Sequence, residues 1–186
     1  MTTRVFTAAI VVLTICGPPL QSGQPAGSLD QLLAPIALYP DQLLAQILMS
    51  ASDPAKVTEF DQWLKRNQSL KGTQLQDAAV KAGFDPSYVA LALFPQVVAN
   101  MAAQIDWTTT LGQAFIADRS AVFGSIQRLR QQARDVGTLK TTPQQDVTTQ
   151  TTASGENVIV IEPANHRSSM CRSTTRRSST SRRQVR

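Results

Sequence analysis

The alternation of apolar and polar positions predicts helices with clear punctuation. Leu43, Leu44, Ile47 and Leu48 make one apolar stripe at helical spacing, and Val57, Phe60 and Leu64 make another. Val89, Leu91 and Leu93, then Val97, Val98 and Met101, make two short pieces meeting at Pro95. The longest stripe starts at Asp106 and runs through Trp107, Leu111, Phe115, Val122, Ile126, Leu129, Ala133 and Val136 to a stop at Gly137. As one helix it is roughly 45 Å long, with Gly124 as its expected weak point. Helix starts are marked by two capping boxes, Ser28 with Gln31 and Thr73 with Gln76. Asp53-Pro54 and Asp85-Pro86 place an N-cap acid before a proline whose missing N–H costs nothing there. Tyr39-Pro40 and Phe94-Pro95 also end one segment and open the next. The surrounding stretches, "ALYPDQLLAQIL" and "ALFPQVVANMA", resemble each other. A helix-starting proline after an aromatic explains both, and two copies do not make a solenoid.

From Thr141 the texture changes. Residues 141–155 read as a polar Thr/Gln linker. Residues 156–162, containing "NVIVI", read as a short strand for which no earlier segment clearly supplies a partner. The expected fold is mostly α: a multi-helix domain over 28–140, the linker, one orphan strand, and a disordered basic tail over 163–186. The high Leu, Ala and Gln content and the low aromatic fraction of 5% agree with helix packing.

The N-terminus reads as an address. Arg4, the apolar run Val5–Ile15, the breaker "GPP" and the small residues after it form a secretory signal over 1–27. Cys16 in "LTIC" is a candidate lipid anchor, although the bulky Ile15 before it argues for ordinary cleavage. Membrane attachment is expected only through a lipidated Cys16 or an uncleaved signal.

Charge narrows the function classes. The formal net charge is +5, yet the seven arginines of residues 166–186 carry all of the excess. Residues 1–165 sum to −2, so the body has no electrostatic footprint for phosphate backbones. Nucleic-acid binding through the Arg tail is the weakest of three readings.

Motifs for chemistry are scarce. The single histidine, His166, lies in the tail, which leaves the body without His-based triads or His metal sites. The phosphate-binding, dinucleotide-binding and nucleophile-elbow glycine patterns are absent. Asp30, Asp53, Asp85 and Asp106 read as helix-start residues rather than an acid–base pair. Trp63 and Trp107 read as core packing, Tyr39 and Tyr88 as junction residues, and Arg128, Arg130 and Arg134 as a solvated face. No catalytic, cofactor or metal residue is assigned.

Five blocks carry a resemblance: "LDQLLAPIALYPDQLLAQILMSASDP", "FDPSYVALALFPQVVANM", "DWTTTLGQAFIAD", "IQRLRQQARDVGTLKTTPQQ" and "VIVIEPAN". In that order and spacing, over about residues 28–165, the chain resembles the exported bacterial domain-of-unknown-function family 3300. The resemblance implies an envelope protein of Gram-negative-type bacteria and transfers no catalytic residue. Its members continue past "IEPAN" with a β-prone "PQVVYVPxYNPxxVYG" segment, and this chain departs from it at His166. With Ser as TCN and Arg as CGN, the neighbouring frame from Met170 to Arg183 permits "YVPVYNPTVVYVTP". The tail is therefore read as a frameshift near Asn165. Gene sequencing tests this, and a neighbouring frame without that Tyr-Val-Pro run refutes it. The expected function is a non-enzymatic interaction or structural module with an envelope-protein partner. The alternative is an enzyme-associated factor whose functional part lies in a missing C-terminal region.

Overall fold

The computed structural model describes residues 26–153 and 155–164. Residues 1–25 of the expected signal segment, Cys16 among them, and His166, the Arg tail and its proposed frameshift lie outside the described residues. Among the described residues eight helices come first: α1 Ala26–Leu33, α2 Asp41–Ala51, α3 Pro54–Arg66, α4 Gly72–Lys81, α5 Pro86–Leu91, α6 Pro95–Ala103, α7 Ile105–Ala117 and α8 Arg119–Asp135. Two strands follow, β1 Gln145–Thr151 and β2 Asn157–Pro163.

The predicted stripes of the second and third helices lie in the core, whereas Leu93 and Val136 of the later stripes are exposed. Leu43, Leu44, Ile47 and Leu48 of α2, and Val57, Phe60 and Leu64 of α3, are all buried. Phe60 organises an aromatic cluster, stacked on Trp63 at 5.8 Å and edge-on to Phe84 at 4.7 Å and Tyr88 at 5.4 Å. The Tyr88 hydroxyl donates to the carbonyls of Ser50 and Asp53 at 3.2 Å each, joining α5 to the α2–α3 junction. Burial is the main cause that pushes the Tyr88 phenol up, with Asp53, Asp85 and Glu59 adding to it. Tyr88 is thus a neutral bolt rather than a titrating group.

Several expected boundaries move. Asp53 caps α3 as predicted, its carboxylate accepting from the Lys56 N–H at 3.1 Å. Asp85 sits at the N-cap of α5 without a side-chain bond to it. The Ser28 box is not the start of α1, because the helix already begins at Ala26, a strong helix former. The Thr73 box is not the start of α4. That helix begins at Gly72, and its N-cap, Lys71, makes no side-chain capping bond. Asp106 lies within the first turn of α7, one residue after its start.

Two corrections change the architecture. The single long helix is two, since Asp118 has extended backbone at φ −153° and ψ 92° and caps α8 by accepting from the Ala121 N–H at 2.9 Å. Gly124, the expected weak point, stays helical. The second correction concerns the strand, which is not an orphan. The segment read as a linker contains β1, which pairs antiparallel with β2 from Gln145↔Pro163 to Thr151↔Asn157. Its threonines favour extended backbone, and Gly155 at φ +85° closes the turn.

One closest approach decides the packing of α2 on α7. Gly112 faces the end of α2 so tightly that a Cβ there would lie 2.0 Å from the Ala51 carbonyl oxygen. Beside this contact, Ser50 is buried and its Oγ has no hydrogen-bond partner. Replacing an orphaned buried hydroxyl removes a desolvation cost. Ser50→Ala is therefore expected to leave stability unchanged or raise it by up to about 1 kcal/mol, read from urea midpoints.

Candidate interaction surfaces

Arg128, Arg130 and Arg134 of α8 do not form a solvated face. Arg130 is 1% exposed. Its Nε donates to the Ala37 carbonyl at 2.8 Å, Nη2 to the Tyr39 carbonyl at 3.0 Å, and Nη1 to the Ile159 carbonyl at 2.8 Å. Nη1 also lies 2.5 Å from Asp41 Oδ1. The local reason is the Tyr39-Pro40 corner. Proline has no N–H to offer the preceding turn, so carbonyls left open there need a donor from elsewhere. Arg130 supplies it from α8 and places a positive charge beside Asp41 in the first turn of α2. One side chain thus ties α8, the α1–α2 corner and β2 together.

Arg128 and Arg134 reach the surface. Arg128 Nη2 pairs with Asp30 Oδ1 at 2.6 Å, and the Ser125 hydroxyl donates to the same oxygen. Asp30 is therefore a tertiary contact between α1 and α8 rather than a capping residue. The Ser125 hydrogen bond, then Arg128, holds its carboxyl below the ordinary 3.8. A depressed folded-state pKa contributes stability that is present above the unfolded value and lost as pH falls through the folded one. Acid titration of Asp30→Asn is expected to show a shallower loss of stability below about pH 4 than the parent, and a loss of about 1 kcal/mol at pH 7. Identical acid limbs would remove Asp30 from this role. Arg134 bonds Thr149 Oγ1 at 2.8 Å and Gln131 Oε1 at 2.6 Å on the exposed side.

The other predicted positions are placed plainly. Trp63 packs in the aromatic cluster. Trp107 donates its indole N–H to the Leu32 carbonyl at 2.9 Å and lines a small cavity of about 80 Å³ with Tyr39, Asn100 and Gln104. Among the described residues, no group of three or more His, Cys, Asp or Glu side chains could hold a metal ion. No described helix is long and apolar enough to cross a membrane.

Among the described residues two open clefts exceed about 600 Å³, and the sequence pattern pointed to neither. The first, about 610 Å³, lies between the end of α3 and the α5–α6 corner. Leu64 and Leu75 are buried at its base, while Leu93 and Phe94 stand 48% and 44% exposed on its lip. The second, about 770 Å³, lies between α2, the start of α8 and β2, with Phe123 48% exposed beside Leu44 and Ala45. The signal that could have found the first is the resemblance of the two Ala-Leu-aromatic-Pro corners. The Ala37–Pro40 corner exposes Leu38 and gives the Ala37 and Tyr39 carbonyls to Arg130, whereas the Ala92–Pro95 corner presents both Leu93 and Phe94 to solvent.

These features define a small helical protein closed at one end by an antiparallel hairpin, with apolar clefts and no assembled catalytic group among the described residues. The chain belongs to the family described as protein of unknown function DUF3300, whose model matches residues 25–169. It is similar to the "Uncharacterized protein YacH" of Escherichia coli (strain K12), 38% identical over 143 residues. The match covers 74% of this chain and 23% of that protein, so the chain spans under a quarter of the relative's length. No solved structure matches.

Proposed function

We propose that the chain is an exported, non-enzymatic module that binds another protein of the bacterial cell envelope. Export is supported by Arg4, the apolar run Val5–Ile15 and the "GPP" breaker. The binding half rests on one observation, the exposed Leu93–Phe94 pair on the lip of an apolar cleft. Apolar side chains grouped at a cleft mark contact surfaces more often than bare ones scattered singly. The −2 charge of residues 1–165 favours a protein partner over a nucleic acid.

Fractionation tests the first half. A tagged chain is expected in the envelope fraction without its leader, and an uncleaved cytoplasmic species overturns export. Site-specific photo-crosslinking tests the second half. A probe at Phe94 is expected to give a discrete adduct with an envelope protein, and a probe at the exposed Val136 is expected to give none. No adduct at Phe94 removes the cleft from the proposal. The enzyme-associated reading draws on the relative's far greater length. An activity shown by that longer protein and stimulated by this chain in trans would favour it.

A further inference from the structure

The hairpin and the helical body do not share one hydrophobic core. Leu139, Ile159 and Ile161 form their own buried cluster, with Ala133 and Val147 packed against it. The body's cluster is separate and draws on residues from Leu29 to Ile126. Of the hairpin's described residues, only Ile159 and Ile161 are buried. What joins the two parts at β2 is a polar clasp. The Gln127 side-chain amide donates to the Ile159 carbonyl at 3.1 Å and accepts from the Ile159 N–H at 2.7 Å. Arg130 gives the same carbonyl a second donor at 2.8 Å.

This geometry is what a neighbouring strand would offer. Ile159 lies opposite Thr149 in the ladder, and its N–H and C=O point away from β1 toward α8. Gln127 thus pairs with the outer edge of β2 as the backbone of a third strand would. The seat reads an extended chain in two ways. Gln127 and Arg130 hold one residue's backbone, and alternate aliphatic side chains fill the space around it, here from the run Val158 to Ile161. The seat is also larger than its occupant. The 770 Å³ cleft continues beside β2 past Leu44, Ala45, Ser120 and Phe123.

We propose that the α2–α8 seat is a receptor for an extended aliphatic segment of a partner protein. β2 fills it in cis, and the hairpin lifts off as one unit to admit that segment. An isolated two-stranded hairpin with two buried side chains is the element expected to open first, while the body keeps its own core. The proposal uses a different surface from the Leu93–Phe94 cleft and stands or falls without it.

Hydrogen exchange on the full chain tests the opening. Amides of β1 and β2 are expected to exchange through one common event, at least about tenfold faster than those of α2 and α7. Ile161→Thr weakens the plug from the hairpin's own side and leaves Gln127 and Arg130 in place. It is expected to speed hairpin exchange a further tenfold or so with α2 and α7 unchanged. A labelled peptide of residues 156–164, ENVIVIEPA, is then expected to bind this variant saturably and the parent at least about tenfold more weakly, since the tethered hairpin competes at high effective concentration. The same peptide with both isoleucines replaced by threonine is expected not to bind. Should Ile161→Thr disturb the body, Gly155→Val releases the hairpin from its turn instead, because a β-branched residue is strained at φ +85°. Hairpin and helix amides that exchange together in the parent overturn the proposal. So does failure of the peptide to bind both released variants.

Discussion

Gly112→Ala is expected to destabilise the protein by roughly 2–4 kcal/mol, although alanine is the better helix former. The new Cβ would sit 2.0 Å from the Ala51 carbonyl oxygen, 2.6 Å from its carbon and 3.0 Å from the Ser52 nitrogen. All three are backbone atoms, so no side chain can rotate away and α2 and α7 must separate. Separation loosens buried Ile47, Leu48 and Leu111 around the crossing. Gly124→Ala is the internal control. Its Cβ would meet only the end of the Arg128 side chain, at 3.8 Å, on a helix that already has helical backbone. That change is expected to stabilise by about 0.5–1 kcal/mol. Thermal unfolding of the two variants should therefore move in opposite directions, with the midpoint of Gly112→Ala falling by about 10 °C. Equal shifts would mean that the α2–α7 crossing is looser than the geometry requires.

The second large effect is expected at Arg130. Arg130→Met keeps much of the buried volume but leaves the carbonyls of Ala37, Tyr39 and Ile159 without this donor and removes the counter-charge of Asp41. Asp41 is 39% exposed and stays solvated, so the loss comes from the three carbonyls that give up a charged donor, together about 3–5 kcal/mol, a large share of a typical domain's total stability. Arg130→Lys should recover less than half, because an ammonium group lacks the planar fork that reaches three carbonyls. Arg134→Ala, on the exposed side of the same helix, should stay within about 0.5 kcal/mol. Urea midpoints for the three variants rank them, and a loss below 1 kcal/mol at Arg130 would sink the hub role.

The helices were legible because their determinants are local. Prolines at positions 40, 54, 86 and 95 mark helix starts whatever surrounds them, and the α2 and α3 stripes needed only a spacing count. The α7–α8 break was hidden because apolar positions continue in register across it. Its one local sign is Asp118 three residues before Ala121, a cap with no glutamate to complete a box. β1 was misread for its polar composition. Two β-prone runs flanking Gly155 at hairpin spacing would have found it. The burial of Arg130 had no local signature. It depends on the carbonyls of Ala37 and Tyr39, more than 90 positions away, and on a strand misread as unpaired. Both clefts are likewise products of tertiary packing, and nothing in the apolar spacing separates exposed Leu93 from its buried neighbour Leu91.

The pairing of Asp30 with Ser125 and Arg128 has a consequence for how the chain comes together. The first helix meets the last across a loop of some 95 residues, at a closure entropy of about 4 kcal/mol beyond a fixed constant. While α8 is still on the ribosome, Leu29 and Leu33 lack their full cover. A chain stopped after Ala117 is thus not a smaller version of this domain but an open arc with its apolar side bare. During any vectorial passage, α1 must wait as an adhesive segment for most of the chain to follow. That interval is when a chaperone would have the most surface to hold.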